Sequence, residues 1–174
     1  MSDSHTPATA ATPRIVYREA LMRDGADQAE VFYHAVMQSA ASHYSLTQRR
    51  AWAQALPREA SAWAARHPLY TTLVAVCDGR CVGFLELDMP RARVETLYVW
   101  PSLGGHGIGT TLLVHAERLL LEQGIDAVEI EASLMLVERL ERRGWENLGE
   151  QWVERGGEEL KRYRLQKRLY AVET

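Results

Sequence analysis

The amino-acid sequence predicts an α/β fold, in which helices flank a mixed and mostly antiparallel β-sheet in the order β-αα-βββ-α-β-α-ββ. Three observations lead to this prediction. Apolar runs on both sides of Asp78-Gly79 indicate a β-hairpin. A strand over 94–99 leads through a glycine cluster into an apolar helix, and the C-terminal residues alternate as another hairpin around Gly156-Gly157.

The first half of the chain is predicted to supply one strand, helices and the first hairpin. Residues 14–18 form the strand, and Asp24 caps a helix whose apolar residues recur at helical spacing. Thr47 starts a second helix, and a further helical segment follows until a proline interrupts it. Residues 71–77 and 81–87 then pair as the hairpin.

The second half starts with the strand over 94–99, which is apolar on both faces and therefore central. The next helix has an apolar stripe formed by Ile108, Leu112, Ala116, Leu119 and Leu120. A short strand over 127–130 follows. Ser133 then caps a last helix, which ends at Gly144 before the C-terminal hairpin.

Composition limits the class of protein. A chain of 174 residues with 47% hydrophobic residues can bury a core as one domain, which we expect over 14–170. Residues 1–13 lack the basic start and apolar stretch of a secretion signal, so they are predicted to be a disordered tail of a cytoplasmic protein. The net charge of −3 favours neither nucleic acid nor membrane as a partner.

Two cysteines flank the first hairpin turn. With a three-residue loop, Cys77 and Cys81 would face each other across the strands. We expect both thiols to stay reduced and to pack as small apolar side chains. These thiols and the six histidines show no zinc-ligand spacing, so no metal is expected.

The glycine cluster carries the strongest functional signal. Gly104, Gly105, Gly107 and Gly109 stand where a helix begins, and the free amide groups of a helix start attract anions. A Walker-type loop would need Lys where Thr110 stands, and a dinucleotide fingerprint would need glycine there. The cluster therefore indicates a pyrophosphate site of another kind.

This segment resembles the acetyl-CoA loop of the GNAT superfamily of N-acetyltransferases, (Gln/Arg)-x-x-Gly-x-(Gly/Ala) after a strand ending Leu-Tyr-Val-x-Pro. Gly107 and Gly109 match the glycines, and Leu97-Tyr98-Val99 with Pro101 match the strand. Gly104 replaces the usual Gln or Arg. The resemblance covers roughly residues 14–169. Residues 131–133 and 141–145 resemble segments around the family's last helix, and segments typical of a bacterial subgroup lie at 43–48, 51–53, 150–157 and 163–167.

The resemblance implies a GNAT-like domain that moves an acetyl group from acetyl-CoA to the amine of a small molecule, by direct attack in a ternary complex and without a metal. It also implies which residues hold acetyl-CoA: Leu97, Tyr98, Val99, Gly104, Gly105, His106, Gly107, Ile108, Gly109, Thr110 and Ser133. An alternative function stays open, that of a non-catalytic acyl-CoA-binding sensor or regulatory domain. A homodimer is a possible oligomeric state. The missing Lys disfavours a nucleotide-binding protein.

Direct attack by an amine requires a group that accepts a proton from the ammonium form. Glu95, and after it Glu86, are the candidate bases, because burial in an apolar strand raises a carboxyl pKa. Pairing of either with a neighbouring arginine is the alternative. The family often places a proton-donating Tyr where this chain has Leu140. The thiolate would therefore leave unprotonated, since a thiol of pKa about 8.5 is a good leaving group, or Tyr98, Tyr44 or water would protonate it.

The acceptor amine is expected between the first helices and the first hairpin. His43, Tyr44 and Trp52 provide aromatic surface there and indicate an apolar or aromatic amine, although aromatic residues at helical spacing can equally form core. The basic residues over 161–168 alternate with apolar ones, which indicates a strand face in contact with solvent.

Overall fold

The computed structural model describes residues 14–170, which form one seven-stranded sheet. The strands are β1 (Ile15–Glu19), β2 (Thr71–Cys77), β3 (Arg80–Asp88), β4 (Arg93–Val99), β5 (Ala127–Ser133), β6 (Glu146–Arg155) and β7 (Glu158–Arg168). Their order in the sheet is β1-β2-β3-β4-β5-β7-β6. Only β4 and β5 pair in parallel, and every other neighbouring pair is antiparallel.

Five α-helices cover the sheet. They are α1 (Gly25–Gln38), α2 (Leu46–Ala53), α3 (Ala60–Ala64), α4 (Ile108–Glu122) and α5 (Val137–Arg142). Within the described range, no helix has both the length and the apolar character needed to cross a membrane.

Each face of the sheet carries its own core, because neighbouring side chains along a strand point to opposite faces. On one face, α4 packs against a cluster that includes Leu85 and Leu97. On the other face, α1 and Trp63 pack against Phe84 and Tyr98. Strand β4 therefore contributes to both cores, as its apolar sequence predicts.

The sheet is divided at its single parallel pair. Strands β4 and β5 are in register only at Arg93↔Glu129 and Val94↔Ile130. Beyond these pairs β4 stays with β3, whereas β5 stays with β7 along its whole length. The part of β4 that follows Val94 therefore leaves its β5-facing edge unpaired, and a crevice opens between the two halves of the sheet.

A bulge in β4 lies at the start of this crevice. Glu86 is opposite Thr96 and Leu87 is opposite Val94, so Glu95 has no partner on β3. An extra residue of this kind breaks the alternation of side chains. The sequence alternation places Glu95 on the same face as Leu97. That placement is wrong, because Leu97 packs under α4 whereas Glu95 lies with Thr96 on the other face.

The predicted fold class is confirmed, and several local predictions need correction. Helix α3 is the further helical segment that the sequence predicts before the proline, so three helices follow β1 where the predicted order counts two. Ser45, rather than Thr47, caps α2 through its hydroxyl, which accepts from the Gln48 amide at 3.1 Å. Ser133 ends β5 and caps no helix, since α5 begins only at Val137. The predicted tail over 1–13 lies outside the described residues.

The first hairpin is one residue tighter than predicted. Asp78 and Gly79 both have positive φ angles, +49° and +77°, which is the conformation of a two-residue turn that matches strand twist. Cys77 therefore lies opposite Arg80, while Cys81 lies opposite Val76. The two thiols do not face each other, and burial raises the pKa of Cys81 to about 12, so that thiol stays protonated.

Candidate active site

The start of α4 is open to an anion. Gly107 occupies the position before the helix with a left-handed φ of +78°, and neither a capping side chain nor an acidic residue satisfies the first turn. The first amide N–H groups of a helix have no partner within the helix. Those of Ile108, Gly109 and Thr110 are therefore available, and the helix dipole adds positive potential at the same point.

Glycine is required in the loop before α4 and on the strand beneath it, for two different reasons. Gly105 and Gly107 are left-handed, which other residues rarely adopt. Gly83 on β3, which no sequence motif indicated, allows close packing instead. A β-carbon there would lie 3.1 Å from Cγ2 of Ile108 and 3.3 Å from the carbonyl oxygen of Tyr98. Gly83 thus seats the start of α4 directly on β3 and β4.

A cavity of about 450 Å³ opens on the opposite face of the sheet, beside the crevice. The cavity is lined by both halves of the sheet, by helices α1 and α2, and by the segments that follow α2 and α3. The lining residues are Phe32, Tyr44, Trp52, Ala55, Leu56, Arg66, Tyr70, Glu95, Thr96, Tyr98, Glu131, Ser133, Val153, Arg155, Leu160, Lys161 and Arg162. The cavity and the start of α4 therefore lie on different faces of the sheet, with the crevice between the halves.

Aromatic rings form one side of this cavity. The ring of Tyr98 packs edge-on against Phe32 at 5.1 Å between centroids and lies 6.2 Å from Trp52. Trp52 in turn packs edge-on against Tyr44 at 5.4 Å. Burial raises the pKa of Tyr98, so its hydroxyl keeps its proton at neutral pH and acts as a donor.

Tyr44 lines the cavity with its ring and uses its hydroxyl for the fold. The hydroxyl donates to the carbonyl oxygen of Lys161 at 2.6 Å and accepts from the amide of Leu134 at 3.0 Å. It thereby joins the start of α2 to β7 and to the segment after β5. A hydroxyl engaged in this way is poorly placed to protonate a thiolate.

Glu86 is fully buried below the cavity. Its two carboxylate oxygens accept from Arg66 at 2.7 and 2.8 Å, and Thr96 donates a third hydrogen bond at 2.9 Å. Glu86 does not line the cavity. The predicted alternative, pairing with an arginine, is what the structure shows, although the partner is Arg66 rather than a neighbour on β4.

Glu95 lies in the cavity wall, and one of its oxygens pairs with the neighbouring Arg93, as the predicted alternative has it. Its Oε1 lies 3.2 Å from Nε of Arg93, and Arg93 also reaches Glu131, at 3.3 Å. Glu131 contacts Arg162 at 2.6 Å. Of the two candidate bases, Glu95 is therefore the one that the bulge brings to the cavity.

The other predicted residues are distributed as follows. Ser133 lines the cavity at the end of β5. His43 is exposed, with its Nδ1 3.0 Å from the Ser42 hydroxyl, and does not line the cavity. Gly104, Gly105 and His106 are exposed before α4.

The basic run on β7 is only partly a solvent-facing strand, contrary to the sequence expectation. Lys161 and Arg162 line the cavity, and burial lowers the pKa of Arg162. Arg66, Glu131 and Arg155 were likewise not anticipated. Their approach depends on strand register between distant segments, for which the sequence holds no local signal.

A family model described as an acetyltransferase (GNAT) domain matches residues 24–166. The chain belongs to the GNAT acetyltransferase family. The match spans the α4 loop, the crevice and most of the cavity wall. Family membership makes acetyl transfer the general activity of this protein. Within the described residues, no group of three or more His, Cys, Asp or Glu side chains is placed to hold a metal ion.

Solved structures of GNAT proteins share this fold. A GCN5-related N-acetyltransferase from Rhodopseudomonas palustris is 32% identical with a TM-score of 0.82, and the match covers 94% of this chain and all of that one. PaiA N-acetyltransferase from Thermoplasma acidophilum, in complex with coenzyme A, is 20% identical (TM-score 0.68; 89% and 99% covered). YncA, a putative acetyltransferase from Salmonella typhimurium with acetyl-CoA, is 22% identical (TM-score 0.61; 92% and 97% covered). No protein of curated function matches the sequence significantly.

Proposed function

We propose that this GNAT protein transfers the acetyl group of acetyl-CoA to the amine of a small molecule that binds in the cavity. The observation that carries the proposal is the crevice between β4 and β5, which separates an anion-binding helix start from an aromatic and charged cavity on the other face. A ligand with phosphates at one end and a reactive group at the other suits this arrangement. Acetyl-CoA has this form, and two structural neighbours were solved with CoA or acetyl-CoA.

The loop and β4 bind different parts of acetyl-CoA. The amides at the start of α4 take the pyrophosphate. The unpaired edge of β4 after Val94 offers main-chain groups from Leu97 to Val99 to the pantetheine arm, and Ser133 faces it from the end of β5. A main-chain N–H at this edge also stabilises negative charge on the thioester oxygen, which is usually the largest contribution in acyl transfer.

The chemistry balances without a covalent enzyme intermediate. The amine nitrogen bonds to the thioester carbon, the carbon–sulfur bond breaks, and the sulfur leaves with the electron pair. Glu95, directly or through water, takes the proton that the ammonium group loses before the attack. The second proton, which the nitrogen loses once it is bonded to the carbon, passes to solvent. Tyr98 donates a hydrogen bond to the departing sulfur. Because its pKa is raised above the ordinary tyrosine value, whereas a thiol has a pKa of about 8.5, solvent supplies the proton that the thiolate finally takes.

One departure from the family pattern supports a second candidate, a sensor that binds acyl-CoA without turnover. Leu140 is buried where the family often has a proton-donating Tyr. The test is release of free CoA thiol in the presence of arylamines, polyamines and amino acids, with acetyl-CoA affinity measured by calorimetry. We expect release with at least one class of amine. Tight acetyl-CoA binding without release beyond the amine-free rate would instead identify a sensor.

A further inference from the structure

Among the residues that the structure describes, one cation in the cavity wall has no carboxylate partner. The other basic residues of the wall each contact a carboxylate at 2.6–3.1 Å, and these are Arg66, Lys161 and Arg162. Within residues 14–170, no carboxylate oxygen lies within 4.0 Å of the Arg155 guanidinium. Its Nη1 donates to the carbonyl oxygen of Glu154, at 2.9 Å. Arg155 therefore brings an unneutralised positive charge to the cavity.

The fold holds Arg155 at this position. Val153 and Arg155 alternate with exposed residues along β6 and face the cavity. The turn that follows packs on α2, since a β-carbon at Gly156 would lie 3.4 Å from that of Ala51. Next to it, Gln48 donates to the carbonyl oxygen of Glu159 at 3.0 Å. The end of β6 is therefore fixed beside α2.

The charges of the neighbouring side chains do not offset the positive charge of Arg155. The pKa of Arg162 is lowered by burial and, to a smaller extent, by the positive charges of Arg155 and Arg93, while the negative charges of Glu131 and Glu95 oppose this effect. Glu95 and Glu131 are already engaged by Arg93 and Arg162. Arg155 and Tyr98 line the same cavity.

We infer that Arg155 binds a carboxylate on the acceptor, so that the acceptor is an amine that also carries a carboxylate, as an amino acid does. This inference rests on the proposed function. The pantetheine arm is uncharged, and the phosphates of acetyl-CoA have their own site at the start of α4 on the other face of the sheet. The acceptor is then the source of the anion. A guanidinium pairs with a carboxylate through two parallel hydrogen bonds, which also orients the amine.

The first experiment compares amines that differ only in the carboxylate, such as phenylalanine and 2-phenylethylamine, or methionine and 3-(methylthio)propylamine. We expect the carboxylate-bearing member to have the higher kcat/KM. Arg155→Ala should lower the kcat/KM of the carboxylate-bearing amine about 10- to 100-fold, as for loss of a charge-assisted hydrogen bond. The kcat/KM of the amine without a carboxylate should not change. Arg139→Ala, on the exposed face of α5, is the matched control for charge and should change neither.

The second experiment does not depend on turnover. Calorimetry of 3-phenylpropionate with the CoA-saturated protein should show binding that Arg155→Ala weakens about 10-fold or more and Arg155→Lys partly restores. Equal binding to wild type and Arg155→Ala, or no binding to wild type, would overturn the inference. So would an Arg155→Ala variant that loses acetyl-CoA affinity instead. Arg155-dependent binding of 3-phenylpropionate, with no amine acetylated, would refute the proposed function and leave the anion site in place.

Discussion

Glu86 provides the sharpest test of which carboxylate serves the chemistry. It is fully buried and receives two hydrogen bonds from Arg66 and one from Thr96. Breaking a buried ion pair by removing one partner costs about 3–5 kcal/mol. We expect Glu86→Gln to lower the free energy of unfolding by about 3 kcal/mol, near the lower limit of this range, because the amide keeps one acceptor oxygen. For a domain of this size that corresponds to a fall in Tm of about 6–12 °C.

Urea denaturation gives the free energy of unfolding, and thiol release below the transition gives kcat/KM. If Glu86 has a structural role, Glu86→Gln loses stability but keeps the acidic limb of the pH–rate profile and changes kcat/KM less than about 10-fold. The double variant Arg66→Met/Glu86→Met should recover most of the stability, since no buried charge is left unpaired. The reasoning would be refuted if Glu86→Gln left the unfolding free energy unchanged and lowered the rate about 100-fold. A loss of about 100-fold is the low end of the usual cost of removing a general base.

Three further predictions address the site. Glu95→Gln should lower kcat/KM about 10²- to 10⁴-fold and remove the acidic limb while calorimetry shows unchanged acetyl-CoA affinity; a retained rate and limb would make Glu95 structural. Thr110→Glu should raise the unfolding free energy by about 0.3–1 kcal/mol through the helix dipole yet weaken acetyl-CoA binding about 10-fold by charge repulsion, whereas Val114→Glu, one turn on, should leave affinity unchanged. Tyr44→Phe should lower the unfolding free energy by about 1–3 kcal/mol, whereas Tyr98→Phe should lower turnover, and the opposite result would contradict their assigned roles.

The parts of the fold that could be predicted depend on local patterns. The strand over 94–99, the glycines before α4 and the Gly156-Gly157 turn each follow from neighbouring residues, because backbone conformation and side-chain alternation are set locally. The fold class is confirmed for the same reason. The open start of α4 is therefore a local feature that the sequence itself predicts.

The first hairpin shows how a local pattern can still mislead. Asp-Gly is compatible with a two-residue or a three-residue loop, and the choice decides which side chains face each other. The left-handed conformation of Asp78 selects the shorter loop and separates Cys77 from Cys81. A single residue of loop length thus excludes a cross-strand thiol pair.

The cavity wall could not be predicted because it depends on distant pairings. Arg162 lies opposite Ser133 on β5 and Gln151 on β6, and this register turns a basic run into part of the wall. Arg66, which follows α3, reaches Glu86 across the fold. Burial, charge pairing and access at these residues are properties of the assembled sheet and are absent from any short stretch of sequence.

The bulge at Glu95 lets β4 present two consecutive side chains, Glu95 and Thr96, to the cavity side of the sheet. Deleting Glu95 would restore strict alternation without moving the residues that follow, because Leu97 would stay opposite Leu85 and Tyr98 opposite Phe84. Thr96 would keep its place beside Glu86, and the carboxylate of Glu95 would leave the cavity wall. A deletion of one residue would therefore remove the candidate base while the cores on both faces of the sheet keep their packing.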